Sequence, residues 1–297
     1  MGHKKIKAWI EAMRLRTLPV SVAGVIAGIA CGLDTGKFRI LPCIICLLFA
    51  IVAQIVSNFA NEYYDYKNGF DKKGREGFRR GVTEGDISPI SMKRATFALL
   101  AADCLLGASL ITWGGWWLIP VGVAIALFAI GYSAGPYPLS HHGLGDVAVV
   151  VFFGIVPVMF TSYLTGGSWE NAPISFGVGM AIGLLAANVL IVNNYRDMED
   201  DSEVGKHTTV VLFGRRAMSG IYIFDSTVAL IVISISILEI GASFLWIIGW
   251  GLIEIFYIFV WISMKKSEGK SLNLVLKKTA QLVLLTAILI LVATATK

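Results

Sequence analysis

The chain has 297 residues, 56% hydrophobic and only 15% charged, with a mean hydropathy of +0.73 and a formal net charge of +5. A soluble domain of this length carries about a quarter charged residues, so the composition excludes an ordinary soluble protein. It predicts an all-α, polytopic membrane protein, a single domain over 1–297 with the lipid bilayer as its surroundings.

About 20 apolar residues cross a bilayer. Nine such stretches are predicted in chain order, roughly 17–33, 40–60, 94–112, 115–133, 146–165, 173–193, 217–237, 241–263 and 278–295. The basic start (Lys4, Lys5, Lys7, Arg14, Arg16) leads into a full-length span without a convincing cleavage site, so the first helix is expected to stay.

With a cytoplasmic N-terminus, five Lys/Arg precede span 1, eight lie between spans 2 and 3, four between 6 and 7, and five between 8 and 9. That places 22 of 25 on one side and leaves Lys37, Arg39 and Lys297 outside. Trp113, Trp116, Trp117 and Trp169 fall in the outer turns, where indoles favour the interface. The net positive charge is therefore a topology signal and implies no nucleic-acid partner.

Two polar stretches end spans 2 and 6 on the cytoplasmic side. Gln54, Asn58, Asn61 and Asp65 are spaced 4, 3 and 4, one helical stripe with Glu62 beside it. Asn194, Asp197 and Asp201, spaced 3 and 4, form a second. Spans 1–4 and 5–8 thus read as two weakly similar four-helix halves plus a ninth helix, an arrangement that commonly puts a site between the halves. A lone acid at a helix end is ordinarily a solvated cap or ion-pair partner. Capping does not explain why amides extend back into an apolar span, where unpaired polar groups are penalised.

Asp65 with Asp71, and Asp197 with Asp201, supply hard oxygen ligands suited to Mg²⁺, which takes a few carboxylates, waters and phosphate oxygens. Lys67, Lys72, Lys73, Arg75, Arg79, Arg80, Arg196 and Lys206 supply cations for a diphosphate. An anionic headgroup at the cytosolic interface and an apolar tail among the helices are expected.

Several runs, in order, carry a resemblance: Arg14-Leu15-Arg16-Thr17-Leu18-Pro19; Asn61-Glu62-Tyr63-Tyr64-Asp65 through Asp71; Gly85-Asp86-Ile87-Ser88-Pro89; Gly135-Pro136-Tyr137-Pro138-Leu139 with Gly143-Leu144-Gly145-Asp146; Asn193-Asn194-Tyr195-Arg196-Asp197 with Asp201, Gly205 and Lys206; and Leu276-Lys277-Lys278-Thr279-Ala280. Over nearly its whole length the chain resembles the UbiA-type intramembrane aromatic prenyltransferases, and within them the menaquinone-pathway branch. Asp65 is followed four residues on by Gly69, and the next acid is Asp71. That step resembles the menaquinone branch and argues against a 4-hydroxybenzoate enzyme. Glu62 stands where many relatives have Asp, and His207 where the branch often has Arg.

The resemblance implies Mg²⁺-dependent transfer from a polyprenyl diphosphate to 1,4-dihydroxy-2-naphthoate, with decarboxylation, in a bacterial plasma (inner) membrane with the active site facing the cytosol and the C-terminus outside. Asn61, Asp65 and Asp71 are expected to hold one metal, and Asp197 with Asp201 a second, so that Asn61, Asp65 and Asp197 are the catalytic set. Lys67, Arg196 and Lys206 are expected on the diphosphate, with Arg79 and Arg80 closing over it. Tyr132 and Tyr137 either shield the reactive carbon or anchor at the interface; Arg16 either faces the acceptor carboxylate or marks topology.

Cys31, Cys43, Cys46 and Cys104 are expected to pack as small hydrophobes. His141 and His142 are expected in a solvated turn. Asp103, Asp225 and Glu254 fall within spans, the first two expected to find polar neighbours across helices; Glu254 has no account. Two alternatives stay open: a UbiA-type enzyme with another acceptor (4-hydroxybenzoate, homogentisate or a chlorophyllide), and an ion-coupled secondary transporter, against which the placement of the acids at one face argues.

Overall fold

The structure, a computed structural model, describes residues 2–74, 77–166 and 168–297. Arg75, expected among the diphosphate cations, lies outside the described residues. Among these residues the architecture is all-helical. The elements are α1 (Gly2–Met13), α2 (Leu18–Leu33), α3 (Ile40–Lys67), α4 (Pro89–Ser109), α5 (Ile111–Gly114), α6 (Leu118–Gly131), α7 (Gly145–Val149), a π-turn (Val150–Ile155), α8 (Val156–Gly166), α9 (Ala172–Glu203), α10 (Thr209–Glu239), α11 (Leu245–Lys266) and α12 (Leu272–Ala295).

Among the described residues eight helical segments are long and apolar enough to cross a membrane, which makes the chain an integral, multi-pass membrane protein. The expected full-length span at 115–133 is instead the 14-residue α6. Gly115, at φ 87°, makes the expected turn, but the helix resumes only at Leu118, so the count of nine full spans is not confirmed by length.

Helix α9 is the axis of the fold and packs against α10, α12, α2 and the π-turn. Close approach depends on missing side chains. Gly24, Gly28 and Gly32 recur every fourth residue along α2, and a Cβ on Gly28 would stand 2.7 Å from the Thr161 Cβ of α8. A Cβ on Gly154 would stand 2.3 Å from the Gly179 carbonyl oxygen of α9. Small residues at such crossings let helices associate where lipid offers no hydrophobic driving force between them.

At ~1.5 Å per residue α3 and α9, of 28 and 32 residues, run about 42 and 48 Å, beyond a ~30 Å hydrocarbon layer. Their last turns therefore stand in the polar zone, where carboxylates are tolerated. The C-terminal Lys297 pairs with Asp34 at the far end of α2, away from those turns.

Candidate active site

Helices α3 and α9 end in the same way. After Lys67, Gly69 takes φ 74°, its N–H bonds the Tyr66 carbonyl, and the Phe70 N–H reaches back to the Asp65 carbonyl at 2.8 Å. After Glu203, Gly205 takes φ 75°, its N–H bonds Ser202, and the Lys206 N–H returns to the Asp201 carbonyl at 2.9 Å. Both are Schellman motifs, and glycine serves each because the left-handed position penalises a Cβ. Asp65 and Asp201 thus occupy equivalent places, as do Asn61 with Asp197 and Asn58 with Asn194 four and seven residues earlier. The two stripes predicted from spacing are structurally matched.

The second motif delivers Lys206 to the first half's acid. Lys206 Nζ lies 2.8 Å from Asp65 Oδ2, with both side chains buried. Asn61 Nδ2 donates to Asp65 Oδ2 at 3.1 Å and to Ser133 Oγ at 3.0 Å, while the Arg14 guanidinium donates to Asn61 Oδ1 at 2.5 Å. Burial works against the lysine's charge, but the carboxylates of Asp65 and Asp201 outweigh it and hold Lys206 above the ordinary lysine value.

Around α9, Arg196 clasps Asp197 through two contacts of 2.7 Å and is itself held by Asn193 and by Asn273 of α12. Phe78, from the α3–α4 loop, lies under Arg16 (3.6 Å) and Arg196 (4.9 Å). The same loop is tied to α3 once and braced internally by two ion pairs. Glu62 Oε1 accepts the Val82 N–H at 3.0 Å, Arg80 sits 3.4 Å from Asp71, and Arg79 pairs with Asp86 at 2.5 Å. Lys72 pairs with Glu203, bridging the ends of α3 and α9.

Not every expected residue converges. Lys67 is exposed at the rim. Tyr137 is 59% exposed and stacks on His142 at 3.6 Å, away from the acids. Tyr132 points inward, where burial and then the Asp146 and Asp65 carboxylates push its phenol above the usual range and keep it neutral. The solvated turn expected at His141 is corrected: His141 is buried, with Nε2 3.3 Å from Asp65 Oδ1 and Phe70 packed edge-on at 4.3 Å. No Lys or Arg lies near it in sequence, so spacing carried no signal for this. Asp103 is corrected too: its Oδ1 has no hydrogen-bond partner, and it lines an apolar cavity. Glu254 accepts from the Thr227 and Ser226 hydroxyls.

That cavity, about 770 Å³, is walled by α2, α3, α4, α6 and α8. Ser57, one turn before Asn61, Gln54, two turns before it, and Ala134, next to Ser133, mark one end; Leu110, Leu118 and Leu164 lie at the other. Charged side chains beside one end of an apolar cavity suit an amphiphile with an anionic head.

The family model for UbiA prenyltransferases matches residues 21–285, and the chain belongs to that family. It is 32% identical over 284 residues to the 1,4-dihydroxy-2-naphthoate octaprenyltransferase of Haemophilus influenzae, covering 90% of each chain. It is 39% identical over 218 residues to that of Escherichia coli, covering 71% of this chain and 70% of the other. A UbiA homologue from Archaeoglobus fulgidus, solved bound to GPP and Mg²⁺, superposes with a TM-score of 0.68 over 96% of this chain and 99% of that one, at 17% identity. The protein is therefore an integral-membrane prenyltransferase, which sets the transporter alternative aside.

Proposed function

We propose that the chain transfers a polyprenyl group from polyprenyl diphosphate to 1,4-dihydroxy-2-naphthoate in the presence of Mg²⁺, with loss of the carboxylate as carbon dioxide, giving the prenylated hydroquinone, a demethylmenaquinol. The observation that carries this reading is the buried Asn61–Asp65–Lys206 cluster, with Asn61 one helical turn beyond Ser57 of the apolar cavity's lining. The acceptor follows from the relatives, whose names specify that naphthoate.

The donor chemistry fits magnesium. Among the described residues no three acids, His or Cys stand close enough to hold a metal as they are. Mg²⁺ needs only one or two carboxylates when phosphate oxygens and water complete its shell. Asn61, Asp65 and Asp71 would hold one ion, and Asp197 with Asp201 a second. When bound, Mg²⁺ neutralises charge on the diphosphate leaving group.

The chain's own groups do the rest. Lys206 and Arg196, now paired with carboxylates, turn to the diphosphate oxygens, and Arg80 and Arg79 reach it from the loop. The allylic C1–O bond ionises, its electrons leave on the diphosphate, and the ring carbon bearing the carboxylate attacks C1. Loss of carbon dioxide then restores the aromatic ring. Phe70, Phe78 and the tethered loop shield the cation from water. Lys67 serves at the entrance, while Tyr132 presents a neutral hydroxyl beside the cavity mouth. Arg16, stacked on Phe78, faces the acceptor carboxylate. The N-terminus and this pocket face the cytosol of a bacterial plasma membrane, in keeping with the Lys/Arg distribution.

The test is acceptor choice. Purified protein is given labelled polyprenyl diphosphate with 1,4-dihydroxy-2-naphthoate, 4-hydroxybenzoate or homogentisate. Prenylation of the naphthoate alone, with one carbon dioxide per product, is expected. Product from another acceptor only would keep the transfer and overturn the substrate.

A further inference from the structure

Helix α1 has two apolar faces. Ala8 and Ala12 are buried against Val82, Ile87 and Met92 of the loop and α4, and Trp9 packs on Phe59 of α3 at 5.4 Å. Ile6 and Ile10, about half a turn around, are 60% and 46% exposed. Exposed Lys4, Lys5 and Lys7 flank them. The candidate spanning segment Lys4–Leu33 takes in both α1 and α2, but three lysines in the 12 residues of α1 bar it from the hydrocarbon core, so α2 supplies the crossing and α1 lies at the membrane surface.

The C-terminal end of α1 is fastened to the site. The Asn58 Nδ2 donates to the Met13 carbonyl at 3.0 Å. Arg14, at φ 51°, is the one non-glycine residue in the left-handed region among those described, and the same residue reaches Asn61. A non-glycine residue held there needs surrounding contacts to keep it.

We propose that α1 is a strap for anionic phospholipid: Ile6 and Ile10 enter the acyl boundary, Lys4, Lys5 and Lys7 engage lipid phosphates, and this docking holds Arg14 on Asn61 and the loop over the site. Cationic side chains flanking exposed aliphatic ones complement a negative headgroup layer, each lysine strengthening partition about fivefold. The role concerns the membrane and not the acceptor, so it stands independently of the naphthoate assignment.

The full chain, with Cys104→Ala and Ile10→Cys carrying an environment-sensitive fluorophore, is reconstituted in vesicles of phosphatidylcholine with or without phosphatidylglycerol. Lipid-borne nitroxide quenching and prenyl transfer are measured together, the latter also on the unlabelled wild-type chain. Anionic lipid is expected to raise quenching and to raise turnover severalfold, and Lys4→Gln/Lys5→Gln/Lys7→Gln to abolish both responses. Equal quenching in the two lipids would overturn the docking, whatever the acceptor. Quenching that responds while turnover stays flat would overturn the coupling to Arg14.

Discussion

Lys206, the residue that closes the Schellman motif of α9, places its ammonium 2.8 Å from the carboxylate of Asp65, which opens the matching motif of α3, 141 positions earlier. Each half of the fold thus supplies one charge of a buried pair. The pair marks where the halves meet, and a substrate phosphate would compete with the Asp65 carboxylate for the Lys206 ammonium.

Removing one member of a buried pair leaves the other uncompensated, at about 3–5 kcal/mol. Lys206→Gln is therefore expected to lower thermal stability and to impair transfer. The folded lysine lies above its unfolded value of about 10.4, so its contribution is fully present below that pH and is lost as pH rises through the raised value. Unfolding temperatures of wild type and Lys206→Gln should therefore converge only in strongly alkaline buffer. Convergence near neutrality would contradict this.

Gly205→Ala puts a Cβ at φ 75°, an expected cost of about 1–2 kcal/mol. Because the same turn aims Lys206, activity should fall alongside stability. Gly220→Ala, whose Cβ meets nothing within 4 Å inside α10, is the control and should do neither.

Gly122 lines the apolar cavity, and a Cβ there meets nothing within 4 Å. Gly122→Phe should fold normally and shift preference toward shorter polyprenyl diphosphates. Competition between two donor lengths measures it; an unchanged product ratio would place the tail elsewhere.

Asp103 contributes an unpartnered carboxyl oxygen to the same wall. Replacing a buried unsatisfied group by an apolar one of similar size removes a penalty of about 1–3 kcal/mol. Asp103→Leu is expected to leave thermal stability equal or higher, read by heating in detergent; marked destabilisation would assign Asp103 a structural partner.

Much of this was legible beforehand. Spacings of 3 and 4 at Asn58, Asn61 and Asp65 and at Asn194, Asp197 and Asp201 place each set on one helical face, and hydropathy located the spans. What escaped depended on contacts distant in sequence. His141 sits in a loop with no charge pattern, yet the fold lays it on Asp65, 76 positions away. Phe78 gave no periodic signal, being in a loop, but it stacks beneath two arginines. The expected span 115–133 begins at the Gly115 turn, but the helix starts only at Leu118 and ends at Gly131, and apolar composition marks neither end.

The most direct test of the central claim is diphosphate release from a labelled polyprenyl diphosphate by the purified protein with 1,4-dihydroxy-2-naphthoate, with and without Mg²⁺, comparing wild type with Asp65→Asn and Asp197→Asn. Magnesium-dependent release coupled to prenylated product is expected, and each substitution should reduce it at least about a hundredfold, ~2.7 kcal/mol of barrier. Undiminished transfer by both variants, with their folding intact, would contradict a site built on these two carboxylates.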